Sequence, residues 1–573
     1  MPEAHALADN PTAELSPQRA WAWALGICAI FFLAVAPTLS WLEFSGGSEN
    51  LNAATVLEMN RGGPWLVPTL KEKPRLAKPP LTAWTTATFV SADTVKQLDS
   101  QNAAVRDSAY RDLAWQIRWP TLVLCCITIL GTFEMTRLLA GPRAGLVAII
   151  FFAGALMTLR FGRAATTDVQ LMTWVTLSIV ALLHALLRNR WWVGCSLAGL
   201  FLGLAFMAKG PVAFVQVIAP LIIARLLLRR SGLPKVRWLP LILGLMLMLV
   251  VGLPWYLLQF NIHGLAVLEL WKVEVTREGA TDLGRDPPWA YLSFFLLLMP
   301  WMPLAIAGLI GTAEAWKLNT PQKRQLIIGA CLMLVPLIIM SCFKDKNERY
   351  TLPMTAAACA LMAMVAAPVL RRDPGLKPAH RFVVDLTFAL PPVVAILLAV
   401  GGAIGGSVGD LLTLNRADGS PWHSPVVAVL AATAALAATL LGHSMRESQP
   451  LSRPLAGFVV MLITGALFVH GYSRDLRGLS EFRATAFHLR DTYGTVPIFS
   501  VKNPADKIPH DLNIYLNRVV KEVDSLDLVP ANALLIQIRN NDANPFIPPA
   551  GWELLESRPA GRKISYIARK ISA

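Results

Sequence analysis

Residues 48–80 read SENLNAATVLEMNRGGPWLVPTLKEKPRLAKPP and follow closely on the first long apolar run of the chain, Trp21 to Leu42. The stretch is polar, contains prolines and a tryptophan, and carries two acids, Glu49 and Glu58, the second on a short helical pattern. A polar segment next to a membrane span lies at the bilayer surface. The stretch therefore predicts that the chemistry of this protein takes place at the edge of a membrane.

Composition defines the class of protein. Of the 573 residues, 54% are hydrophobic and only 16% are charged, whereas a soluble chain carries about 25% charged residues. The deficit is concentrated in long apolar runs, so the sequence predicts a polytopic α-helical membrane protein. The net charge of +15 comes from Lys and Arg in short loops, where they orient the chain and contact anionic membrane lipids. We expect no nucleic-acid partner.

A transmembrane helix needs about 20 mostly apolar residues. We count thirteen candidate runs, at about 20–42, 118–139, 143–161, 168–187, 191–208, 211–229, 238–260, 288–311, 325–342, 350–370, 382–406, 423–443 and 454–471. Residues 1–19 lack the features of a signal peptide. We therefore expect a cytoplasmic N-terminal tail and a retained first helix.

Charges in the loops set the orientation. Loops on the side of the N-terminus carry an excess of Lys and Arg, and loops on the opposite side contain several acids, so the N-terminus is predicted to be cytoplasmic. The transmembrane domain, 20–471, then presents a large loop, 43–117, and two later loops, 261–287 and 343–349, on the outer side. We expect the chain to lie in the cell inner membrane.

The C-terminal residues 472–573 differ in character from the rest. They are polar and contain four short β-type runs and one helical pattern, at 496–501, 512–520, 533–538, 563–568 and 479–492. About 100 residues are enough for one small domain, and no glycine-rich nucleotide-binding turn is present. The sequence predicts a small α/β domain on the extracytoplasmic, periplasmic side.

Ionisable residues at membrane depth are costly and are usually functional. Asp168 opens a long apolar run, and Lys209 lies between two such runs. Each has a structural alternative, because Asp168 is equally suited to cap a helix N-terminus and Lys209 to extend its ammonium to the interface. Since both are predicted to lie on the same side as the outer loop, we interpret them as parts of one site.

The densest group of charges lies at the start of the tenth run. Its members are Lys344, Lys346, Glu348, Arg349 and Tyr350. They are suited either to anchor a helix at the interface or to clamp a phosphate diester, since arginine offers paired donors to phosphate oxygens. Glu274 and Arg277, beside Trp271, either belong to a solvated interfacial helix or line the same cavity.

Carboxylates and cations that face a cavity at the outer leaflet indicate a transfer reaction on a lipid phosphate. The cations would hold and neutralise the phosphate leaving group, and a carboxylate would position or activate the acceptor. A transporter of an anionic lipid is the alternative. The sequence contains no repeat-related pair of broken helices, which many transporters have.

Several motifs on the outer side resemble a known family. They are Ser48-Glu49, Glu58-Met59, Trp65-Leu66-Val67-Pro68, Lys78-Pro79-Pro80-Leu81, Trp84, Asp168, Lys209-Gly210, Leu253-Pro254-Trp255, Pro288-Trp289, Pro300-Trp301 and Arg349-Tyr350 with Pro353. They resemble the protein O-mannosyltransferase-like glycosyltransferases of family 39, which have the GT-C fold and include the bacterial lipid A aminoarabinose transferases. The resemblance extends to about residue 370.

The resemblance implies a GT-C membrane domain of 13 helices with a periplasmic C-terminal domain. It implies an inverting glycosyltransferase that moves a sugar from a polyprenyl-phosphate donor to an outer-face acceptor, which would be a lipid A-like glycolipid, a glycan or a protein. On this basis Glu49 and Asp168 are the expected catalytic carboxylates. The expected substrate-binding residues are Lys78, Lys209, Lys346, Arg349, Tyr350 and Glu274.

The chain departs from the family pattern at three positions. Ser48 replaces the first acid of an Asp-Glu pair, Asn52 replaces a tyrosine, and Ala77 replaces the Glu before Lys-Pro-Pro. Some relatives bind a metal near that Glu with a later histidine. Neither partner is evident here, and the seven cysteines lack metal-ligand spacing, so the sequence predicts neither a bound metal nor another cofactor.

The missing first acid leaves the mechanism open at this point. Glu49 or Glu43 is available as a substitute, or the acceptor is already an anionic phosphate and needs no strong base. A non-catalytic relative that binds or transports polyprenyl phosphate or another anionic lipid is the alternative function.

Overall fold

A computed structural model describes most of the chain. The described residues are 15–44, 47–229, 234–276, 286–316, 321–343, 346–373, 376–404, 406–407, 413–414, 425–444, 451–474, 480, 482–502, 507–540, 543, 545–560 and 563–571. Most of the predicted N-terminal tail lies outside these residues, as do Lys344 and Arg277.

The first part of the chain forms the first membrane helix and the outer loop. Its elements are α1 (Pro17–Val35), a 3-10 helix (Ala36–Ser40), α2 (Gly47–Asn60), a hairpin of β1 (Thr69–Leu70) and β2 (Lys73–Pro74), α3 (Leu81–Ala87), α4 (Ala92–Gln97) and α5 (Ala103–Ala140). Ser16 caps α1 by accepting a hydrogen bond from the backbone N–H of Arg19, and Pro17 takes the first helical position. With its 38 residues, α5 is about 57 Å long. Because a bilayer core is about 30 Å thick, α5 extends beyond the membrane and carries the outer loop.

The rest of the membrane portion is helical apart from one short hairpin. Its helices are α6 (Pro142–Gly154), α7 (Leu156–Phe161), α8 (Thr167–Arg188), α9 (Trp191–Lys209), α10 (Val212–Leu227), α11 (Trp238–Gly252), α12 (Pro254–His263), α13 (Leu265–Thr276), α14 (Ser293–Leu297), α15 (Met302–Trp316), α16 (Pro321–Ser341), α17 (Thr355–Leu370), α18 (Pro378–Ile404), α19 (Pro425–Ser444) and α20 (Ser452–Arg474). Two 3-10 helices, Pro288–Leu292 and Glu348–Met354, precede α14 and α17. The hairpin of β3 (Gly406–Ser407) and β4 (Thr413–Leu414) lies between α18 and α19.

A helix occupies each of the thirteen positions at which the sequence predicts a membrane span. Within the described residues, seven helices are long and apolar enough to cross a membrane, or nine if each of two bent pairs is one span. Shorter apolar helices lie at the remaining predicted positions. One bend, of 48°, separates α11 from α12 at Pro254, as expected for proline inside an apolar run. The predicted fold class, a polytopic α-helical membrane protein, is confirmed.

Close helix packing determines the position of α9. A Cβ atom on Gly199 would lie 1.9 Å from the carbonyl oxygen of Gly244 in α11, and a Cβ on Gly244 would lie 2.4 Å from the carbonyl oxygen of Cys195. The two backbones therefore touch, which only small residues allow at a membrane helix interface. The same helix ends in Lys209, so this contact helps to position one of the predicted site residues.

The C-terminal residues form a small sheet domain. Its elements are α21 (Arg483–Tyr493), β5 (Ile498–Val501), α22 (His510–Leu516), β6 (Lys521–Val523), a 3-10 helix (Leu526–Leu528), β7 (Leu534–Asn540), β8 (Trp552–Ala560) and β9 (Lys563–Lys570). The strand order is β6-β5-β7-β9-β8. The first three strands are parallel, and β9 is antiparallel to both of its neighbours. The predicted α/β character is confirmed.

One of the predicted strands is wrong in detail. Residues 512–520 were expected to be β-type, but α22 occupies His510–Leu516 and the strand begins only at Lys521. The side chains from Asp511 to Leu516 are all buried, and a short run buried on every side has no periodicity that separates a helix from a strand. The strand β8 was not predicted, because it alternates buried and exposed residues poorly.

The sheet domain shares its core with the outer loop. One apolar cluster contains Val56 and Leu113 of the loop together with Leu512 and Ile536 of the domain. Ion pairs surround this cluster, including Arg106 with Asp491 at 2.7 Å and Arg483 with Asp107 at 2.6 Å. The loop and the sheet are therefore packed as one unit, and the domain boundary at 472 stays a prediction.

The α9–α11 contact generates a test of stability. Gly199→Leu should lower the thermal unfolding temperature of the purified protein by several degrees, because the backbone of α11 cannot move away from the new side chain. Overpacking of this kind typically costs about 1–3 kcal/mol of stability. Gly26→Leu is the matched control, since a Cβ on Gly26 would meet no atom within 4 Å. Equal unfolding temperatures for the two variants would contradict the close approach.

Candidate active site

Asp168 forms the centre of a buried charge cluster. It lies in the first turn of α8, and its side chain is 2% exposed. One carboxylate oxygen accepts a hydrogen bond from the Lys209 ammonium, and the other lies 3.2 Å from Nε of Arg349. Since α8 and α9 are consecutive helices joined by a short turn, the start of one lies beside the end of the other. Thr166 takes the N-cap position, and Asp168 lies in the first turn, where the helix dipole favours an acid, with cations beside both carboxylate oxygens. Its role in a site stays a prediction.

Tyr350 and Lys78 adjoin this cluster. The Lys209 ammonium lies 3.7 Å from the centroid of the Tyr350 ring, a distance typical of cation–π contacts. Lys78 lies 3.5 Å from Oε1 of Glu274. Burial lowers the pKa of Lys78, and the positive charge of Lys209 lowers it further, so these two ammonium groups lie within electrostatic range of each other.

Six of the eight predicted site residues are therefore brought together. They are Asp168, Lys209, Arg349, Tyr350, Lys78 and Glu274. They come from α8, α9, the 3-10 helix before α17, the outer loop and α13. The long-range packing of these elements creates the site.

Two other residues fix the outer loop over α12 and α13. The indole N–H of Trp255 donates to the carbonyl oxygen of Leu66 at 3.0 Å, and the indole N–H of Trp271 donates to that of Leu76 at 2.9 Å. Leu76 lies two residues before Lys78. The two tryptophans therefore hold the segment that presents Lys78 to Glu274.

Lys346 has different partners. Its ammonium donates to the carbonyl oxygens of Asp286 and Phe343, at 3.0 and 2.6 Å, and its backbone N–H donates to the Asp286 carboxylate. These bonds connect the segment before α14 with the segment before the 3-10 helix of Arg349. The structure thus gives Lys346 the contacts of a positioning residue, and its predicted role in phosphate binding remains untested.

Glu49 is held in a buried ion pair. Arg118, in α5, donates to both carboxylate oxygens of Glu49, at 2.9 and 2.8 Å, and the backbone N–H of Ala165 donates to one of them at 2.9 Å. Burial alone would raise the pKa of Glu49, but the charge and hydrogen bonds of Arg118 outweigh it and hold this pKa below its ordinary value of 4.5. The carboxylate is thus ionised and fully engaged, so Glu49 has the contacts of a structural anchor; its predicted catalytic role remains untested.

Two arginines near these groups were missed by sequence reasoning. Arg118 lies within a predicted span, and its isolated charge there was an available signal. Arg75 lies in the outer loop and donates to the Thr55 hydroxyl at 3.1 Å. Burial lowers the pKa of Arg75 to about 10, with Glu274 opposing the shift, so Arg75 adds a further cation near Glu274 and Lys78.

No group of three or more His, Cys, Asp or Glu side chains that could hold a metal is found among the described residues. The absence of a cofactor remains a prediction from the sequence. What the described cluster offers is two carboxylates, Asp168 and Glu274, and four cations, Lys78, Lys209, Arg349 and Arg75. An excess of half-buried cations is suited to a phosphate group.

A many-spanning helical domain and a small C-terminal sheet domain are what the resemblance to the GT-C glycosyltransferases implied. The sequence profile described as dolichyl-phosphate-mannose-protein mannosyltransferase matches residues 110–256. The chain also matches structures of ArnT from Cupriavidus metallidurans, bound to undecaprenyl phosphate and in the apo state, with TM-scores of 0.69 and 0.68 at 15% and 16% identity. In the bound case the match covers 95% of this chain and 98% of the other.

Relatives of known name agree with the fold. The chain is 24% identical over 379 residues to an undecaprenyl phosphate-alpha-4-amino-4-deoxy-L-arabinose arabinosyl transferase of Pseudomonas aeruginosa, covering 61% of this chain and 66% of the relative. It is 26% identical over 399 residues to such a transferase from Sodalis glossinidius, covering 66% and 65%. The matches thus span about two thirds or less of the length of these curated relatives. These matches confirm the resemblance to the family 39 glycosyltransferases seen in the motifs, and the structural matches show that the chain shares the fold of ArnT.

The buried pair of Glu49 and Arg118 generates a test of stability. Arg118→Ala should lower the stability of the protein by about 3–5 kcal/mol, because it leaves a buried carboxylate without its partner. The double variant Glu49→Leu with Arg118→Met should recover much of that loss, since no charge then remains buried. Thermal unfolding in lipid nanodiscs measures both, and a double variant less stable than Arg118→Ala would contradict this role.

The same pair predicts a pH dependence. Because the pKa of Glu49 is lowered on folding, its stabilising contribution is complete above the ordinary value of 4.5 and is lost as the pH falls towards the lower folded-state pKa. The difference in unfolding temperature between the wild type and Glu49→Gln should stay constant above about pH 5 and shrink below pH 4.5. A difference that shrinks already between pH 7 and pH 5 would show that the pKa of Glu49 is raised instead.

Proposed function

We propose that the protein transfers a sugar from a polyprenyl-phosphate donor to an acceptor at the outer face of the inner membrane. The observation that carries the proposal is the buried group of Lys209, Arg349 and Tyr350 around Asp168. The named functions of the aminoarabinose transferases that the chain resembles support it. In this proposal the sheet domain and the outer loop are periplasmic.

The cations would bind the donor phosphate. Lys209 and Arg349 pair with Asp168, and Lys78 pairs with Glu274. Buried charges need partners at all times because desolvation is costly. A phosphodiester entering between the two pairs would share these cations, and Asp168 would keep Lys209 and Arg349 aimed at it.

Transfer then involves one bond broken and one bond formed. The bond between the anomeric carbon and the phosphate oxygen breaks, and its electron pair leaves with the polyprenyl phosphate, which the cations stabilise as the charge develops. An acceptor oxygen forms the new bond to the same carbon from the opposite face, which inverts the configuration. A hydroxyl acceptor also has to give its proton to a base.

The partners of the acidic groups favour an acceptor that needs no strong base. Glu49 is held by Arg118, and Asp168 is held by Lys209 and Arg349. At the position of the family's first acid, the buried Ser48 hydroxyl has no hydrogen-bond partner among the described residues. An acceptor oxygen that is already ionised, such as that of a phosphate monoester, would react without deprotonation.

The proposal predicts the effect of site variants on turnover. With purified full-length protein in nanodiscs and a panel of labelled undecaprenyl-phosphate sugars, Asp168→Asn and Arg349→Ala should reduce transfer at least about a hundredfold, equal to about 2.7 kcal/mol of barrier. The control is Lys377→Ala, because Lys377 forms an exposed ion pair with Glu314 beyond the far end of α17. Transfer should be unchanged in this control.

The alternative, a relative that only binds or transports the lipid phosphate, rests on Ser48 in place of the family's acid. The same panel separates the two functions. Undecaprenyl-phosphate binding that is lost in Arg349→Ala, with no transfer by the wild type to any acceptor, would overturn the transferase proposal and favour the alternative. Full transfer by Asp168→Asn would contradict the proposed role of the cluster.

A further inference from the structure

A separate polar cavity lies beside the charge cluster. Its volume is about 120 Å³, roughly ten times the space that a single water molecule needs. It is lined by residues that follow α1, by residues of α2, α5 and α7, and by the turn between α7 and α8. The polar and charged side chains of its lining are Thr38, Glu43, Glu49, Arg118, Arg160 and Arg163.

All but one of these charges have an opposite charge as partner. Glu49 pairs with Arg118, and Glu43 pairs with Arg483 of the sheet domain. Arg160 pairs with Glu348 at 2.8 Å. The exception among the described residues is Arg163, whose guanidinium donates only to the Thr38 hydroxyl, at 2.9 Å.

Arg163 is half-buried in the wall of this cavity. A desolvated arginine whose hydrogen-bond partner is a hydroxyl is costly. The carboxylate that attracts it, Glu49, is already paired with Arg118. Desolvation lowers the pKa of Arg163 to about 10, with the charge of Arg118 lowering it further and that of Glu49 opposing the shift, so the group is still charged at neutral pH. An anion in the cavity would supply the missing partner.

The cavity adjoins the proposed donor site through two contacts. Arg160, in the cavity wall, pairs with Glu348, which directly precedes Arg349. Arg349 also lies close to the start of α2, because a Cβ atom on Gly47 would be only 3.4 Å from its Nη1. Gly47 precedes the cavity residue Glu49 by two positions. A molecule held in the cavity would therefore lie next to the group that we assign to the donor phosphate.

We propose that this cavity is a second anion site, which binds a phosphate monoester of the acceptor through Arg163 and the Thr38 hydroxyl. The assignment of the anion to the acceptor rests on the proposed transferase function. Arginine suits this role because its planar guanidinium offers paired donors to phosphate oxygens. A phosphate held here lies apart from the donor cations, so both substrates can be bound at the same time.

Binding measurements test the site without requiring turnover. The full-length protein is placed in nanodiscs of phosphatidylcholine, which carries no net charge, and titrated with an acylated glucosamine disaccharide with and without its phosphate monoesters. The wild type should bind the phosphorylated form at least about tenfold more tightly, equal to about 1.4 kcal/mol. Arg163→Gln should reduce this preference to less than twofold, while Arg163→Lys and Thr38→Val keep part of it.

Controls separate the second site from the donor site and from general damage. Arg188→Gln, at the opposite end of α8, should keep the full preference. Undecaprenyl-phosphate binding should change less than twofold in Arg163→Gln. Inorganic phosphate is added as a competitor of the phosphorylated glycolipid. If it displaces the glycolipid and the displacement depends on Arg163, the site recognises the phosphate group alone. If it does not, the site recognises the whole phosphorylated headgroup.

Two outcomes would overturn the second site. One is a preference for phosphate that survives in Arg163→Gln. The other is an equal loss of both glycolipid forms and of undecaprenyl phosphate in that variant, which would show a purely structural role. A wild type that binds no undecaprenyl phosphate yet keeps the Arg163-dependent preference would instead overturn the proposed function and leave the anion site intact.

Discussion

The ion pair of Glu49 and Arg118 joins four segments at the outer end of the membrane domain. Arg118 belongs to α5 and donates also to the carbonyl oxygens of Leu39 and Leu42, which follow α1. Glu49 belongs to α2 and accepts from Ala165, just before α8. Because a buried charge is tolerated only with its partners in place, the pair fixes α2, α5, the end of the first membrane helix and the start of α8 relative to one another.

The cationic cluster depends on this frame. Asp168 lies three residues after Ala165, so the bond that fixes Ala165 also limits where Asp168 can meet Lys209 and Arg349. Arg163 lies two residues before Ala165 and is held over the neighbouring cavity in the same way. The start of α8 thus presents the Asp168 carboxylate to the charge cluster, and the turn before it presents Arg163, which has only a hydroxyl as hydrogen-bond partner among the described residues, to the cavity.

The outer loop and the sheet domain cover the charge cluster around Asp168. Their common apolar core and the pairs of Arg106 with Asp491 and Arg483 with Glu43 make them one unit. Glu58 accepts hydrogen bonds from the backbone N–H groups of Lys71 and Glu72 and so fixes the β1–β2 hairpin ahead of Lys78. The polar stretch that follows the first span is therefore a structured support for the site.

The sequence by itself determined the membrane class, the positions of the helices and most of the charge cluster. Long apolar runs can satisfy their backbone groups in lipid only as helices, and ionisable residues among them, such as Asp168 and Lys209, are rare enough to mark a site. The tertiary structure decided the partners. Arg118 is 69 residues from Glu49 along the chain. Only packing shows that these two form an ion pair, while Arg163 has no ion pair among the described residues. Charges that look alike in a sequence acquire different roles because burial and the distance to an opposite charge are set by the folded chain.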